Sequence, residues 1–515
     1  MIDVVHNVKA DIKIKFRNGA EYTVPVSDGK TSLNNYCRSL DIDEQLYQRS
    51  SSNIVGNVCG NTLSLELTSK DKLLVPNYVL SQFYGYMDDT ATIEVTLHVN
   101  EQGIQEDVFM GTYYVTSWEG GTSSDQDGEI SISAVDLFSK IKNMTLKDIH
   151  VQRNLSFESY MRTLVRIINN RIPNNMQIQL DEDSLNIYKN SSYDWQICVN
   201  NFSLDSIEDL FNNIAKDSIS YIWIDRDNYL RTDHLLDDII EESVSELSGS
   251  TNLLSYNVKA GDIDKYHGVT IKYINNISYG TGEILSVSNV QLNKGINTLL
   301  DQSLSQDNIF SVDLIEVICE TGEANSLGFD LYKDTMNLRI FSDTKTICQI
   351  KVYGTYIVED YAYISRYKDS GDQNSVIEVE NRSLRSELIN TYADGLISLM
   401  DMKDTEAEVT GFISPAIRLS DTVKFIGKKF NIDDYYKVTG LKFSISSANY
   451  SCTAKLIKVI NTLENVNDIL QYDIQLLYDC LSGLDVDPDD LLEITDSQNE
   501  ICESQLGVYL DELRN

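Results

Sequence analysis

A run of alternating apolar and polar residues between Ala91 and Val135 constrains the fold of this chain most strongly. Apolar side chains occupy every second position from Ala91 to Val99, with threonine and glutamate between most of them. Two similar runs follow, VFMGTYYVTSW ending at Trp118 and EISISAV ending at Val135. A period of two predicts strands with one buried face. Because the links are of hairpin length, we predict an antiparallel meander, closed by a short helix at DLFSKIKN.

The residues before this meander also predict strands. Ile12, Ile14 and Phe16 alternate with polar residues, and Arg17-Asn18-Gly19 follows them. Asn-Gly is a strong hairpin signal because both residues tolerate a positive φ. The run NTLSLEL at residues 61–67 alternates in the same way. Together these strands and the meander are enough for a closed β-barrel over residues 1–148.

Residues 149–245 change to a helical pattern. A helix beginning at Ser156 would carry on one face the residues Phe157, Tyr160, Met161, Leu164, Ile167 and Ile168. A second helix is predicted from about Ser203 to Lys216, with Asp205 and Glu208 as its capping box. The run YIWIDRDNYLRTD then predicts a hairpin that turns at Asp225–Asn228. We therefore expect a helix-plus-hairpin domain inserted after the first barrel.

Strands return in residues 246–380, at VTIKYI, FSVDLIEVIC, LRIFS and TICQIKVYG, which predicts a further β domain. VIEVENRSL then leads into a helix through Ile389, Tyr392, Leu396 and Leu399. After it, three strand-like runs extend to residue 460. They predict part of a second barrel over residues 381–460.

The composition limits the classes of partner. Lys and Arg number 42 and Asp and Glu number 79, so the net charge is 42 − 79 = −37. So acidic a surface repels nucleic acid. No run of about 18 apolar residues occurs, so we expect no membrane insertion. The N-terminus alternates and carries charge, which predicts a strand and not a signal peptide.

The eight cysteines form no CxxC motif. We therefore predict single thiols in core strands, not a metal or redox site. Unpaired cysteines are typical of a protein that is assembled in a reducing cytoplasm.

The search for chemistry yields weak candidates only. The five histidines lie outside any HExxH motif, no GxSxG or P-loop motif is present, and we expect His98 to be structural. Asp485-Val-Asp487-Pro-Asp489 with Asp496 imitates a calcium loop but lacks its glycine and its glutamate. Trp118, Trp195 and Trp223 could line a sugar groove, although core packing is the usual role of such residues. We therefore predict no catalytic residue, no metal ligand and no cofactor.

The C-terminal segment, residues 461–515, is strongly acidic. It holds 14 acidic residues and one base, Arg514, which leaves 13 net negative charges. Leucines at 463, 470, 477 and 484 are seven apart, as in heptad helices. We predict a helical extension that packs on the assembly. Before it lies a cluster of lysines that forms either a solvated barrel face or a docking surface for an acidic partner, such as this segment itself: Lys424, Lys428, Lys429, Lys437, Lys442, Lys455 and Lys458.

Three patterns together resemble one family. The motif F-x-G-T-Y-Y-V-x-S-W at residues 109–118, followed by S-A-V-D-L-F, resembles the first barrel of bacteriophage baseplate hub, or tail-tip, proteins of the late control D-like kind. The helix and the hairpin with its D-R-D-N turn resemble the small inserted domain of these hubs. The strands after residue 408 resemble the second hub barrel, with Ser420-Asp421 where that family often has Gly-Asp.

The resemblance covers roughly residues 1–460 and implies a β-rich α+β fold with two tube-like antiparallel β-barrels, related by a distant duplication, plus an insert and a β domain. The predicted helical extension follows these domains. It also implies a non-enzymatic homotrimer, a pseudo-sixfold ring that joins the hexameric tail tube and distal tail proteins to a central spike. DNA would pass through an acidic channel without specific binding. The protein would belong to the virion and be assembled in the host cytoplasm. The alternatives are a receptor- or glycan-binding tail-tip protein and a cell-wall hydrolase.

Overall fold

The computed structural model describes residues 8–24, 35–48, 55–70, 74–81, 83–101, 104–122, 127–146, 155–185, 196–197, 206–235, 245–249, 252–260, 266–332, 334–368, 375–384, 386–402, 405–446 and 449–459. The chain divides into two units, Met1–Val459 and Ile460–Asn515, and every described residue lies in the first. The heptad helices that the sequence predicts, and the segment from Asp485 to Asp496 that imitates a calcium loop, therefore lie outside the described residues.

The N-terminal half-sheet contains seven antiparallel strands in the order β3-β4-β7-β6-β5-β1-β2. They are β1 (Val8–Lys15), β2 (Glu21–Val24), β3 (Asn35–Gln45), β4 (Thr62–Lys70), β5 (Thr92–Glu101), β6 (Ile104–Thr122) and β7 (Asp127–Val135). The predicted meander is confirmed as β5-β6-β7, and Gly19 turns the β1–β2 hairpin with a φ of +81°. Helix α1 (Leu137–Ile141) follows, with Asp136 accepting a hydrogen bond from the Ser139 amide as its N-cap.

The insert carries two amphipathic helices and a hairpin. Its elements are β8 (Leu155–Ser156), α2 (Phe157–Asn169), β9 (Gln179–Leu180), β10 (Gln196–Ile197), α3 (Ile207–Ser218), β11 (Ser220–Ile224) and β12 (Tyr229–His234). The start of α2 at Ser156 is confirmed. The capping box predicted at Asp205 and Glu208 is wrong by one residue. The Ser206 side chain accepts a hydrogen bond from the Asp209 amide, and the Asp209 side chain accepts one from the Ser206 amide.

The β domain is a sandwich of two sheets. One sheet has the order β17-β20-β15-β21 and the other the order β16-β19-β18. Its strands are β15 (Gly268–Leu292), β16 (Gly295–Ser303), β17 (Ile309–Cys319), β18 (Ala324–Leu331), β19 (Thr335–Ser342), β20 (Thr346–Tyr367) and β21 (Val376–Asn381). Ile284, Leu338 and Ile350 are fully buried in its core. Helix α4 (Ile389–Met402) follows, as predicted.

The C-terminal half-sheet has the order β14-β22-β25-β24-β23-β13. Its strands are β13 (Ser245–Ser248), β14 (Leu253–Ala260), β22 (Thr405–Gly411), β23 (Thr422–Gly427), β24 (Ile432–Ser446) and β25 (Tyr450–Lys458). Strands β13 and β14, which the sequence grouped with the β domain, thus pair with strands more than 140 residues later. Strand β24 also pairs with β3, so the two half-sheets form one 13-stranded sheet.

The two half-sheets repeat the same plan. Strands β3, β4, β7, β6, β5 and β1 correspond in order to β14, β22, β25, β24, β23 and β13. The bulges correspond too, at Cys37/Ser39 in β3, Leu253/Ser255 in β14, Val115/Ser117 in β6 and Val438/Gly440 in β24. Residues 113–118, YYVTSW, therefore align with residues 436–441, YKVTGL. One difference is that β1 pairs antiparallel with β5 whereas β13 pairs parallel with β23.

The cysteine prediction is wrong at one pair. Cys319 and Cys348 lie opposite each other on β17 and β20 and form a disulfide, because the register of these two strands places them side by side. Cys37 and Cys452 are free and buried, as predicted, and Cys59 is free and half-buried. Burial raises the pKa of the Cys37 and Cys59 thiols to about 12, so both are inert at neutral pH.

We expect the Cys319–Cys348 disulfide to stabilise the β domain, since it closes a separation of 29 residues. Replacing both cysteines by serine should lower the free energy of unfolding by about 3 kcal/mol under oxidising conditions. Chemical denaturation with and without a reductant measures this, because the difference between wild type and variant should vanish in the reductant. Complete alkylation of both thiols in unreduced protein would contradict the prediction.

Candidate functional site

The hairpin β11–β12 presents one arginine at its tip. The Asp225 carboxylate accepts hydrogen bonds from the backbone amides of Asp227 and Tyr229, both at 2.9 Å. Asn228 takes a left-handed conformation with a φ of +63°. This is the local geometry that aspartate and asparagine favour in tight turns. The turn is therefore rigid before it contacts anything else, and it fixes the direction in which Arg226 points.

Arg226 is buried where the two half-sheets meet. Its guanidinium donates to both carboxylate oxygens of Glu44 on β3, at 2.7 and 2.8 Å. It also donates to the carbonyls of Pro415 at 2.7 Å and Ile417 at 3.2 Å, in the loop before β23. The Phe443 ring of β24 lies 5.4 Å from the guanidinium carbon. One side chain thus contacts the insert, the N-terminal half-sheet and the C-terminal half-sheet.

The Arg226–Glu44 pair is almost fully shielded from water. The two side chains are 5% and 2% exposed. Burial alone would lower the pKa of Arg226, but the Glu44 carboxylate outweighs burial and leaves this pKa above its ordinary value. The bidentate geometry and the two carbonyls satisfy four donor contacts, which a buried guanidinium needs if its desolvation is to be offset.

A second layer of ion pairs surrounds this contact. Arg231 donates to Asp225 and to Asp181, the latter at 2.7 Å. Arg418 donates to Asp227 at 2.8 Å. Lys437 of β24 is 1% exposed and donates to Asp233 of β12 at 2.7 Å. We call Glu44, Arg226 and these seven residues the charged junction. Each of its three basic residues outside the hairpin tip bonds an acid that belongs to the hairpin or its flank.

A cavity of 640 Å³ lies at the charged junction. Its lining is polar and includes Ser184, Ser420 and Asp421 beside the ion pairs. Burial raises the pKa of Asp421, whereas the Arg418 amide and nearby arginines oppose the shift. Within the described part of the chain, no group of three His, Cys, Asp or Glu side chains has a metal-binding arrangement. The Ser420 hydroxyl donates to Asp233, the same carboxylate that Lys437 bonds, so this contact too joins segments of the chain.

The candidates that the sequence suggested lie apart from the junction, with one exception. His98 on β5 faces Asp107 on β6, with Nδ1 2.6 Å from Oδ1, at the surface. Trp118 is half-buried on β6. Trp223 is 6% exposed and lines the junction cavity from β11. Trp195 lies outside the described residues.

The predicted lysine surface is only partly a surface. Lys437 is interior and bonded to Asp233, because alternation along β24 points it towards the insert. Lys424 and Lys458 each pair with an aspartate of β24, Asp433 at 2.9 Å and Asp434 at 2.8 Å.

In the described residues, no helix has the length and apolar content needed to cross a membrane.

Sequence reasoning missed Arg226 and Glu44 as a pair. The D-R-D-N turn was identified, but a charged turn ordinarily points to solvent. Glu44 lies 182 residues away. The available signal was weak: a glutamate at an inward position of β3, next to alternating core residues Leu40 and Ile42.

We expect Arg226→Ala to lower the free energy of unfolding by about 3–5 kcal/mol, because it leaves the Glu44 carboxylate buried without its partner. Thermal and chemical denaturation measure the change. The double variant Arg226→Met/Glu44→Met should recover much of the loss, since it removes both charges. As a control, Arg162→Ala removes exposed pairs with Glu158 and Glu182 and should cost less than about 1 kcal/mol. If Arg226→Ala and Arg162→Ala lowered the free energy of unfolding equally, the structural role given to the Arg226–Glu44 pair would be wrong.

His234 should make the protein less stable in mild acid. Burial lowers its pKa from 6.5 to about 4, Asp233 opposes this and Lys437 adds to it. Between pH 6.5 and pH 4, His234 is protonated in the unfolded chain but stays neutral in the folded chain. Its contribution to the free energy of unfolding is therefore fully present above pH 6.5 and is lost as the pH falls towards 4. Between pH 7 and pH 5 we expect a loss of about 2 kcal/mol. Denaturation curves of wild type and His234→Phe at both pH values test this, and parallel pH profiles would contradict it.

No protein-family model matches the chain, and no curated protein matches it. Among solved structures, the 43 kDa tail protein of prophage MuSo2 from Shewanella oneidensis is 12% identical, with a TM-score of 0.48, covering 87% of this chain and 98% of that one. A tail protein from Neisseria meningitidis MC58 is 10% identical, with a TM-score of 0.46 and coverages of 87% and 96%. The prophage tail protein gp18 from Listeria monocytogenes EGD-e is 8% identical, with a TM-score of 0.42 and coverages of 90% and 99%. These structural neighbours are phage tail proteins, the class that the sequence patterns resemble. At such low identities and scores, we infer function from the geometry of the chain itself.

Proposed function

We propose that this chain is a structural baseplate hub of a phage tail or of a related contractile injection particle. The observation that carries the proposal is the repeated half-sheet: one chain holds two copies of the same strand plan, joined edge to edge through β24 and β3. A chain that contains the same unit twice, side by side, is suited to building a ring of such units. The sequence resemblance to hub barrels supports the same reading.

In the proposed assembly three chains form a ring. Since each chain supplies two half-sheets, the ring has six similar units around a threefold axis, which matches a hexameric tail tube on one side and a threefold spike on the other. Contacts of this head-to-tail kind close into rings when the rotation between copies fits. The tube or distal tail proteins and a central spike or tail-tip protein are the proposed partners, and the virion is the proposed location.

The charge balance supports passage of DNA without binding. With a net charge of −37, a channel lined by this chain would repel phosphates and release no counterions to them. DNA would therefore slide through without specific contacts. The ring would act as a conduit and a mechanical joint.

The proposed role is non-enzymatic. The charged junction uses its acids and bases to bond one another and the backbone. A hydrolase reading requires a nucleophile or metal cluster. A glycan-binding reading rested on the tryptophans, of which Trp223 is buried and Trp118 is half-buried.

We expect purified full-length protein to form trimers at assembly concentrations. Native mass spectrometry measures this, and the mass should be three times the 58.3 kDa of one chain. The same sample should leave peptidoglycan intact in a turbidity assay, with lysozyme as the positive control. A sixfold particle, a persistent monomer, or clearing of peptidoglycan that depends on a particular acidic residue would overturn the proposal.

A further inference from the structure

Besides the outer edges of β2 and β13, two strand edges remain open in the described part of the sheet. Strand β6 pairs with β5 as far as Tyr114, and the Val115 amide still donates to the Ala91 carbonyl. Beyond that point, among the described strands, residues Ser117–Thr122 pair with β7 alone. Strand β14 pairs with β22 alone and ends the sheet. Each edge offers a row of backbone donors and acceptors, which is a template for adding another strand.

The repeat identifies which strand fits which edge. In the C-terminal half-sheet, β24 pairs with β23 as far as Lys437, and its next part, Gly440–Ser446, takes β3 as an antiparallel neighbour. The equivalent of this part of β24 is the open part of β6, and the equivalent of β3 is β14. The β24–β3 pairing inside the chain therefore has an equivalent pair of edges, β6 and β14, that are not paired with each other within the chain.

The bulges set the register of this counterpart. Aligning Val115/Ser117 with Val438/Gly440 and Leu253/Ser255 with Cys37/Ser39 transfers the β24–β3 pairing onto β6 and β14. In this register Lys442 opposite Asp43 becomes Glu119 opposite Lys259. The charges are exchanged between the strands and are again opposite, which stabilises a cross-strand pair.

Burial points the same way. In the β24–β3 pairing, Leu40 and Ile42 of β3 are fully buried, and so is Leu441 of β24. Their equivalents, Tyr256 and Val258 on β14 and Trp118 on β6, are only half-buried. Positions that face the core in one copy of the plan thus remain partly in water in the other. A strand added at each open edge would remove that exposure.

We propose that β14 of one copy of this chain adds to the open part of β6 of the next copy, antiparallel, with Glu119 opposite Lys259 and Gly120 opposite Val258. The occupant of each edge is therefore a second copy of the same chain. This inference rests on the proposed ring and assigns the strands that close it. The contact is head-to-tail, so every copy uses both of its edges in a closed ring.

Cross-linking tests the register directly. A full-length variant with Gly120→Cys and Val258→Cys should form disulfides between copies on mild oxidation, with trimers as the largest linked species on a denaturing gel. A Cβ at Gly120 meets its nearest neighbours, Trp118 and the Glu129 carbonyl, at ordinary distances of 3.6 and 3.9 Å. The matched control pairs Gly120→Cys with Ser288→Cys, an exposed residue of the β domain, and should not link. Peptide mapping should place the bond between residues 120 and 258.

Charge reversal tests the same contact without a covalent bond. Glu119→Lys and Lys259→Glu should each raise the concentration for half-assembly by about fivefold, because like charges then face each other. The double variant should return towards wild type. Glu378→Lys, an exposed strand residue elsewhere, is the control and should have little effect. Circular dichroism and thermal melting establish that each variant is folded.

The outcomes separate the two proposals. Trimers that form no 120–258 link and ignore both charge reversals would overturn the strand assignment and leave the ring standing. A wild-type chain that stays monomeric would overturn both, and this appears in its mass before any variant is made. Linkage together with rescue by the double variant supports the assignment.

Discussion

The bond between Arg226 and Glu44 is the contact on which the relation of the three segments depends. A guanidinium and a carboxylate removed from water are tolerated only when each finds its full set of partners. Here those partners come from a hairpin tip, an inner strand and the loop before β23. None of the three can move without leaving a charge unsatisfied. The hairpin therefore fixes the place where the two half-sheets meet, and the sheet can continue across that place without a gap.

The surrounding ion pairs extend this constraint outward. Asp225 shapes the turn that carries Arg226, and Arg231 in turn holds Asp225. Lys437 lies on the same strand that crosses to β3, and it bonds the hairpin strand that carries Asp233. Such a network supplies direction and register more than stability, because its ions gain little over the water that they lose. It suits a joint whose geometry matters.

Local sequence patterns predicted most of the strands and helices. The features that they did not predict depend on pairing between strands that are far apart in the sequence. Alternation at Ile93, Val95 and Leu97 identified β5, and the Asn18-Gly19 turn identified the first hairpin, because both signals act between near neighbours. The capping box was displaced by one residue because Asp205 and Ser206 are both good caps, and only the helix itself decides between them. The Cys319–Cys348 bond follows from the pairing of β17 with β20, which no spacing in the sequence reveals. Arg226 and Glu44 were missed for the same reason: their burial is a property of the assembled sheet.

The repeated half-sheet has a consequence for the kinetics of any ring made from it. One of the two kinds of joint, β24 with β3, forms within a single molecule, where the partners are held at an effective concentration far above that of free chains. Only the other kind needs an encounter between molecules. Fusing two units in one chain thus halves the number of joints that must form between molecules in a ring of given size. It also makes neighbouring units chemically distinct. The joint within a chain and the joint between chains can therefore differ in sequence, which disfavours rings closed through the wrong pair of edges.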